Sequence, residues 1–187
     1  MLISIGVDVG SRNGALAIID SNLNILELTK APFYLVEVKS KKLKPKLNKS
    51  TGMYENDYKK YAWTDYTTLG NIYKPYINND IIYTVEKVSV RRGEGETSSF
   101  IFGDSQGVHK GAYMLLNPIE MYHPTPQDWK KELKVTSDKD TSIKLAEEIF
   151  ECNLKDFVKK GKVDDIAEAL LLSFYGLKKY LENKGEI

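Results

Sequence analysis

The sequence predicts a mixed α/β fold whose sheet starts antiparallel and gains parallel strands later in the chain. Three observations carry this reading. Short apolar runs divided by turn residues crowd the region before Lys39, an apolar run at Ile81–Val85 follows a helical stretch, and helix-length periodicity dominates after Thr97. The 187 residues suit a single domain, residues 1–187, with a lysine-rich insertion near residues 39–60. A hydrophobic fraction of 42% against 28% charged is that of an ordinary soluble chain. No apolar run approaches the ~18 residues of a membrane span, so no membrane partner is expected. The N-terminus lacks the charged start of a signal peptide, and Cys152 is the only cysteine. Together these predict a reducing, cytoplasmic setting without disulfides or a cysteine-based zinc cluster.

Taken in order, Leu2–Gly10 is an apolar run broken by Asp8 and closed by glycine, which predicts a buried strand ending in a turn. Ala15–Asp20 is a second strand before the Ser21-Asn22 turn, and Ile25–Val38 holds a third. Residues 39–60 carry eight lysines against Glu55 and Asp57, and the Lys39–Asn48 stretch reads as an exposed mobile loop. Tyr58, Ala62, Tyr66, Leu69 and Tyr73 then fall at helical spacing, predicting a helix over about 55–77. Ile81–Val85 is a strand with Glu86 at its end. A helix capped by Thr97 or Ser98 runs to about Leu116, and Met121–His123 is a short strand stopped by Pro124. Thr125-Pro126 opens a short helix, Ser137 or Asp138 caps another, and a last helix starts near Asp164.

Acidic residues stand out by their settings. Asp8 lies in an apolar strand, where a charge is costly unless paired, protonated or bound to a cation. Glu86 ends another such strand; alone it reads as a surface charge. Asp165 and Glu168 are three apart and share a helix face; with Asp164 they read, on their own, as an N-terminal capping cluster. Gathered at one sheet edge, the carboxylates could not all stay ionised without a cation. Oxygen ligands without cysteine suit Mg²⁺ or Mn²⁺ rather than zinc, and two such ions would clamp the attacking and leaving oxygens of a phosphodiester.

Three segments carry a family resemblance. Ile5-Gly6-Val7-Asp8-Val9-Gly10-Ser11-Arg12-Asn13-Gly14, Thr84-Val85-Glu86-Lys87-Val88 and Val163-Asp164-Asp165-Ile166-Ala167-Glu168-Ala169-Leu170 resemble the three motifs of RuvC-type Holliday junction resolvases, of the RNase H-like superfamily. The chain is most similar to the short versions carried by bacteriophages, including lactococcal phages. Phe100–Leu116 and Pro124-Thr125-Pro126 with Trp129-Lys130 resemble further family segments. The resemblance implies a five-stranded mixed sheet, antiparallel in its first three strands and flanked by helices. It also implies two Mg²⁺ ions, replaceable by Mn²⁺, on Asp8, Glu86, Asp165 and Glu168, and a homodimer that nicks four-way junctions and other branched DNA. Two positions depart from the family pattern: Glu168 stands where an aspartate is usual, leaving open whether Asp164 contributes, and Ser89 stands where cellular relatives carry an aromatic residue.

Net charge is only +1, so DNA affinity must come from clustering. Lys41, Lys42, Lys44 and Lys46 of the insertion, Arg91 and Arg92 past Glu86, and Lys130 are the expected phosphate contacts. The tyrosines and Trp63 after the lysines read mainly as core or dimer interface, His109 as a surface or interface residue, and His123 as structural. Competing readings are a non-catalytic module binding branched nucleic acid and a flap, fork or RNA nuclease of the same fold. Actin-like and sugar-kinase ATPases also open on a strand with Asp and Gly-Ser, but they need two such domains and a longer chain.

Overall fold

A computed structural model describes residues 1–10, 12–39, 46–51, 54–55, 58–89, 95–136, 138–158 and 163–187, with Lys46, Tyr54 and Glu55 described in backbone only. Lys41, Lys42, Lys44, Arg91 and Arg92 therefore lie outside the described residues, as does most of the expected lysine loop.

Five strands form the central sheet. β1 (Leu2–Asp8) pairs antiparallel with β2 (Ala15–Asp20), and β2 pairs antiparallel with β3 (Ile25–Lys30). Two further strands, β4 (Phe33–Lys39) and β7 (Tyr58–Thr64), form a separate antiparallel ribbon, while β5 (Lys46–Leu47) and β6 (Tyr54–Glu55) make a two-residue ladder. Helix α1 (Tyr66–Tyr73) continues into a 3-10 turn and leads to β8 (Asp80–Val85), which lies parallel to β1. After α2 (Glu96–Leu116), β9 (Glu120–Tyr122) adds parallel to β8, completing the order β3-β2-β1-β8-β9. Three helices close the chain: α3 (Pro126–Glu132), α4 (Lys139–Phe150) and α5 (Val163–Lys184). The expected mixed sheet with three antiparallel strands first is the one observed.

Alternation along the strands builds a core on each sheet face. Ile3, Ile5 and Val7 of β1, with Ile81, Tyr83 and Val85 of β8, pack against Leu69 and Tyr73 of α1 and Leu116 of α2. Ala15, Ala17, Ile19 and Ile82 face the other way, onto α4 and α5. On that second face β1 offers Leu2 at its start and then only Ser4 and Gly6 before Asp8. The Ser4 hydroxyl donates to the carbonyl of Ser173 at 2.7 Å. A Cβ on Gly6 would stand 2.2 Å from the Ala169 carbonyl oxygen, and one on Gly176 2.0 Å from Thr84 Oγ1. Helix α5 thus lies directly on β1 and β8.

Several expectations are corrected. The third apolar stretch is not one strand: the chain leaves the sheet at Ala31-Pro32 and starts the ribbon. The helix expected over 55–77 begins only at Tyr66. Tyr58 and Ala62 are an even number apart, so they fit a strand's period of two as well as a helical repeat, and Asp65 caps the true helix by accepting from the Thr68 amide at 3.0 Å. Gly95, not Thr97 or Ser98, precedes α2. His109 is fully buried rather than at the surface, because it lies on the α2 stripe of Ile101, Ser105 and Leu116 that faces the sheet. Of the aromatic group, Tyr73 is core, whereas Tyr58 and Tyr66 are exposed.

Candidate functional site

Asp8 and Glu86 are brought together by the parallel register. Val7 pairs with Val85, and the Glu86 amide donates to the Val7 carbonyl at 3.1 Å, so the two acids emerge side by side at the carboxyl ends of β1 and β8. In open α/β sheets ligands bind in the crevice at such ends. Period two puts Asp8 on the face of Ser4 and Gly6, and Glu86 on the face of Thr84, both beneath α5.

Helix α5 delivers the other acids. Asp165, Ala169, Ser173 and Gly176 are spaced four, four and three apart, one helical stripe, and the last three touch β1 or β8. Asp165 is therefore aimed at the strand ends one turn beyond the contact, and Glu168 sits beside it. All four carboxylates expected at the site line one cleft of about 490 Å³, together with Arg12 and Lys130.

Electrostatics ties them together. Burial, then the charges of Glu86, Glu168 and Asp165 in that order, push Asp8 well above the usual carboxylate range, against the pull of Lys130. Glu86 is not the surface charge it suggests in isolation: it is 6% exposed, and the fully buried Trp129 donates its indole N–H to Glu86 Oε1 at 2.8 Å. A capping box at the start of α3 holds Trp129 in place. Thr125 and Asp128 cap each other there, behind Pro126.

Each acid near the start of α5 meets a lysine from a different element. Lys30 at the end of β3 pairs with Asp165, Lys130 of α3 donates to Glu168 Oε1 at 2.7 Å, and Lys139 of α4 pairs with Asp164. Lys130 also stands 5.1 Å from the Trp129 ring centroid, so one short helix fixes Glu86 and reaches Glu168. Asp164 is 8% exposed and pairs with Lys139. Among the described residues no three Asp, Glu, His or Cys side chains are drawn into a closed metal-ligand cluster as they stand. In kind, however, the donors fit a hard divalent cation: they are all carboxylate oxygens, and burial first, with the neighbouring carboxylates adding to it, raises Asp8.

Of the expected DNA contacts, Lys130 lies in the cleft and Lys46 lies in the β5–β6 ladder. His123 fits its structural reading, its Nδ1 standing 2.7 Å from the Val85 carbonyl. Sequence reasoning missed Lys30, Lys139 and the part played by Trp129. A signal existed only for Trp129, an apolar residue beside Lys130 in a capped helix; nothing local marks Lys30 or Lys139, 135 and 25 residues from their acids, as ion-pair partners. No helix among the described residues is long and apolar enough to cross a membrane.

Neither a protein-family model nor a curated protein matches the chain. By structure it is similar to T. thermophilus RuvC in complex with a Holliday junction substrate, at a TM-score of 0.54 and 11% identity, covering 98% of this chain and 96% of that one. It is also similar to a second Thermus thermophilus RuvC structure, at a TM-score of 0.50 and 13% identity with the same coverage. At these identities the likeness shows the fold, which is RuvC-like and of the RNase H-like type.

Proposed function

We propose that this chain is a divalent-metal-dependent endonuclease that resolves four-way DNA junctions, acting as a homodimer with one nuclease domain per subunit. The observation that carries the reading is the meeting of Asp8, Glu86, Asp165 and Glu168 in one cleft at the carboxyl ends of two parallel strands. The junction-bound RuvC neighbour supports the choice of substrate, and the resemblance of the motifs to those of phage resolvases supports it independently.

In this reading Asp8, Glu86, Asp165 and Glu168 would hold the metal, Mg²⁺ with Mn²⁺ as a substitute. Bound there, the ions would supply an activated water and stabilise the leaving oxygen, giving 5′-phosphate and 3′-hydroxyl ends. The chain's own contribution is positional. Trp129 orients the Glu86 carboxylate, the close contact of α5 with Gly6 sets the depth of Asp165, and Arg12 and Lys130 offer positive charge to a phosphodiester entering the cleft. Lysines of the insertion and Arg91 and Arg92 would bind the backbone of the junction arms.

One observation favours a second reading, a module that binds branched DNA without cutting it. Lys30 and Lys130 already neutralise two of the four carboxylates. A Mg²⁺-dependent assay on four-way, three-way, flap and linear DNA separates the two. Paired symmetric nicks in the junction, abolished in Asp8→Asn with junction binding kept, are the expected result. Cutting by Asp8→Asn at the wild-type rate would overturn the site. Tight binding without any cutting would establish the second reading, and equal cutting of all branched substrates a general debranching nuclease.

A further inference from the structure

We propose that Lys30 is a built-in competitor of the divalent cation at Asp165, setting how tightly this site takes up metal. The inference rests on the metal site proposed above and concerns a residue outside its ligand set.

The sheet register places Lys30 for this role. Asp8 pairs with Ala15, and Ala15 pairs with Lys30, so the three form one row across β1, β2 and β3. Residues in such a row point to the same face, here the face covered by α5. Ala15 is fully buried and small, so the lysine stem can pass over it. The ammonium then meets Asp165, the acid that α5 aims at the strand ends. The backbone at the base of the stem is held on both sides of the turn, by the β2–β3 ladder and by the Ala31 amide donating to the Gly14 carbonyl at 2.8 Å. A fixed base on a flexible four-carbon stem delivers a charge to one oxygen and can withdraw it.

Withdrawal is open to it. The Lys30 side chain is 29% exposed and that of Asp165 15%, so the ammonium reaches water without unpacking the core. An ammonium and a divalent cation on the same carboxylate repel each other at that range, and Lys30 holds one of the two Asp165 oxygens. A cation bound at Asp165 therefore binds against the Lys30 charge or drives the ammonium out to water, and the pair raises the cation concentration at which the site fills. Trp129 plays no such part at Glu86: it is a neutral donor, fully buried, and it orients that carboxylate without competing charge.

The test is titration calorimetry of Mg²⁺ and Mn²⁺ into the full chain, with thermal melting in parallel. Lys30→Met keeps the stem and removes the charge; it should tighten cation binding about fivefold, the upper end of the scale for a partly exposed pair. It should also lower the melting temperature without added cation and enlarge the rise on adding Mg²⁺. Lys30→Arg, which keeps the charge, should stay near wild type. A merely structural lysine would lower the melting temperature and leave cation affinity alone. Affinity in Lys30→Met within twofold of wild type, or weaker, overturns the inference, with Lys30→Gln as the second variant if Met folds poorly. Wild-type binding that is lost in Asp8→Asn keeps the metal site standing even then. Absence of binding in wild type and in every Lys30 variant overturns the metal site and the inference together.

Discussion

His109 carries a fully buried imidazole, and among the described residues neither ring nitrogen has a hydrogen-bond partner. Its main-chain carbonyl is used, accepting from the Tyr83 hydroxyl at 2.9 Å, and Tyr83 in turn stands 3.1 Å from the Tyr73 hydroxyl. Burial pushes the imidazole down from 6.5 to about 4. A depressed histidine means that the unfolded chain takes up a proton below pH 6.5 that the folded chain refuses until about pH 4. Stability is therefore full above the upper value and falls through that window as the pH drops, by roughly 3 kcal/mol from this residue. Replacing His109 with Leu should flatten that slope while keeping the Tyr83 contact, which is to backbone. Urea midpoints at several pH values in the window read it directly; an unchanged slope in the variant would assign the pH dependence to other groups. The residue's burial was hidden from sequence reasoning because glycines and polar residues interrupt the apolar stripe of α2.

At the scale of elements, the contact of α5 with β1 and β8 decides whether a site exists at all. Gly6→Ala would press a methyl onto the backbone of α5, with both the Ala169 carbonyl and the Ser173 amide 2.2 Å away. The expected loss is about 3 kcal/mol or more, since neither side is a flexible side chain. The displaced helix should also weaken metal binding in whatever fraction still folds. Gly107→Ala in α2 is the contrasting case: nothing lies within 4 Å of its added Cβ. It should stabilise by about 0.5–1 kcal/mol through helix propensity alone. Denaturant unfolding of the two variants side by side checks both signs. The glycines themselves were plain in the sequence, but which of them marks a helix-on-strand contact depends on distant partners, Ala169 and Ser173 for Gly6 and Thr84 for Gly176.

The whole molecule combines near-neutral total charge with a locally basic extension. The β4–β7 ribbon carries Lys39, Lys59 and Lys60, all exposed, toward the segment that holds Lys41, Lys42, Lys44 and Lys46. Replacing those last four with Ala should weaken binding to linear and branched DNA alike and reduce the salt slope by about 3–4, the counterion release of four phosphate contacts. Binding measured across a salt series tests this. A loss confined to four-way junctions would make the segment a reader of shape instead.

Local patterns alone determined the strands at Leu2, Ala15 and Ile81, the capped helix after Thr125, and the three acidic motifs. These are short-range signals, where apolar runs, caps and turn residues act within one element. The ribbon was misread because Tyr58 and Ala62 satisfy two periods at once, and only pairing with β4 selects the extended one. Likewise the sequence could name Asp8, Glu86, Asp165, Glu168 and Lys130, but not Lys30, Lys139 or the part that Trp129 and Lys130 play in holding those acids. Those partners come from β3, α3 and α4, and an ion pair or hydrogen bond between distant segments leaves no periodic trace in either. Tertiary structure decided them, because only the sheet register and the close seating of α5 bring those side chains within reach of each other.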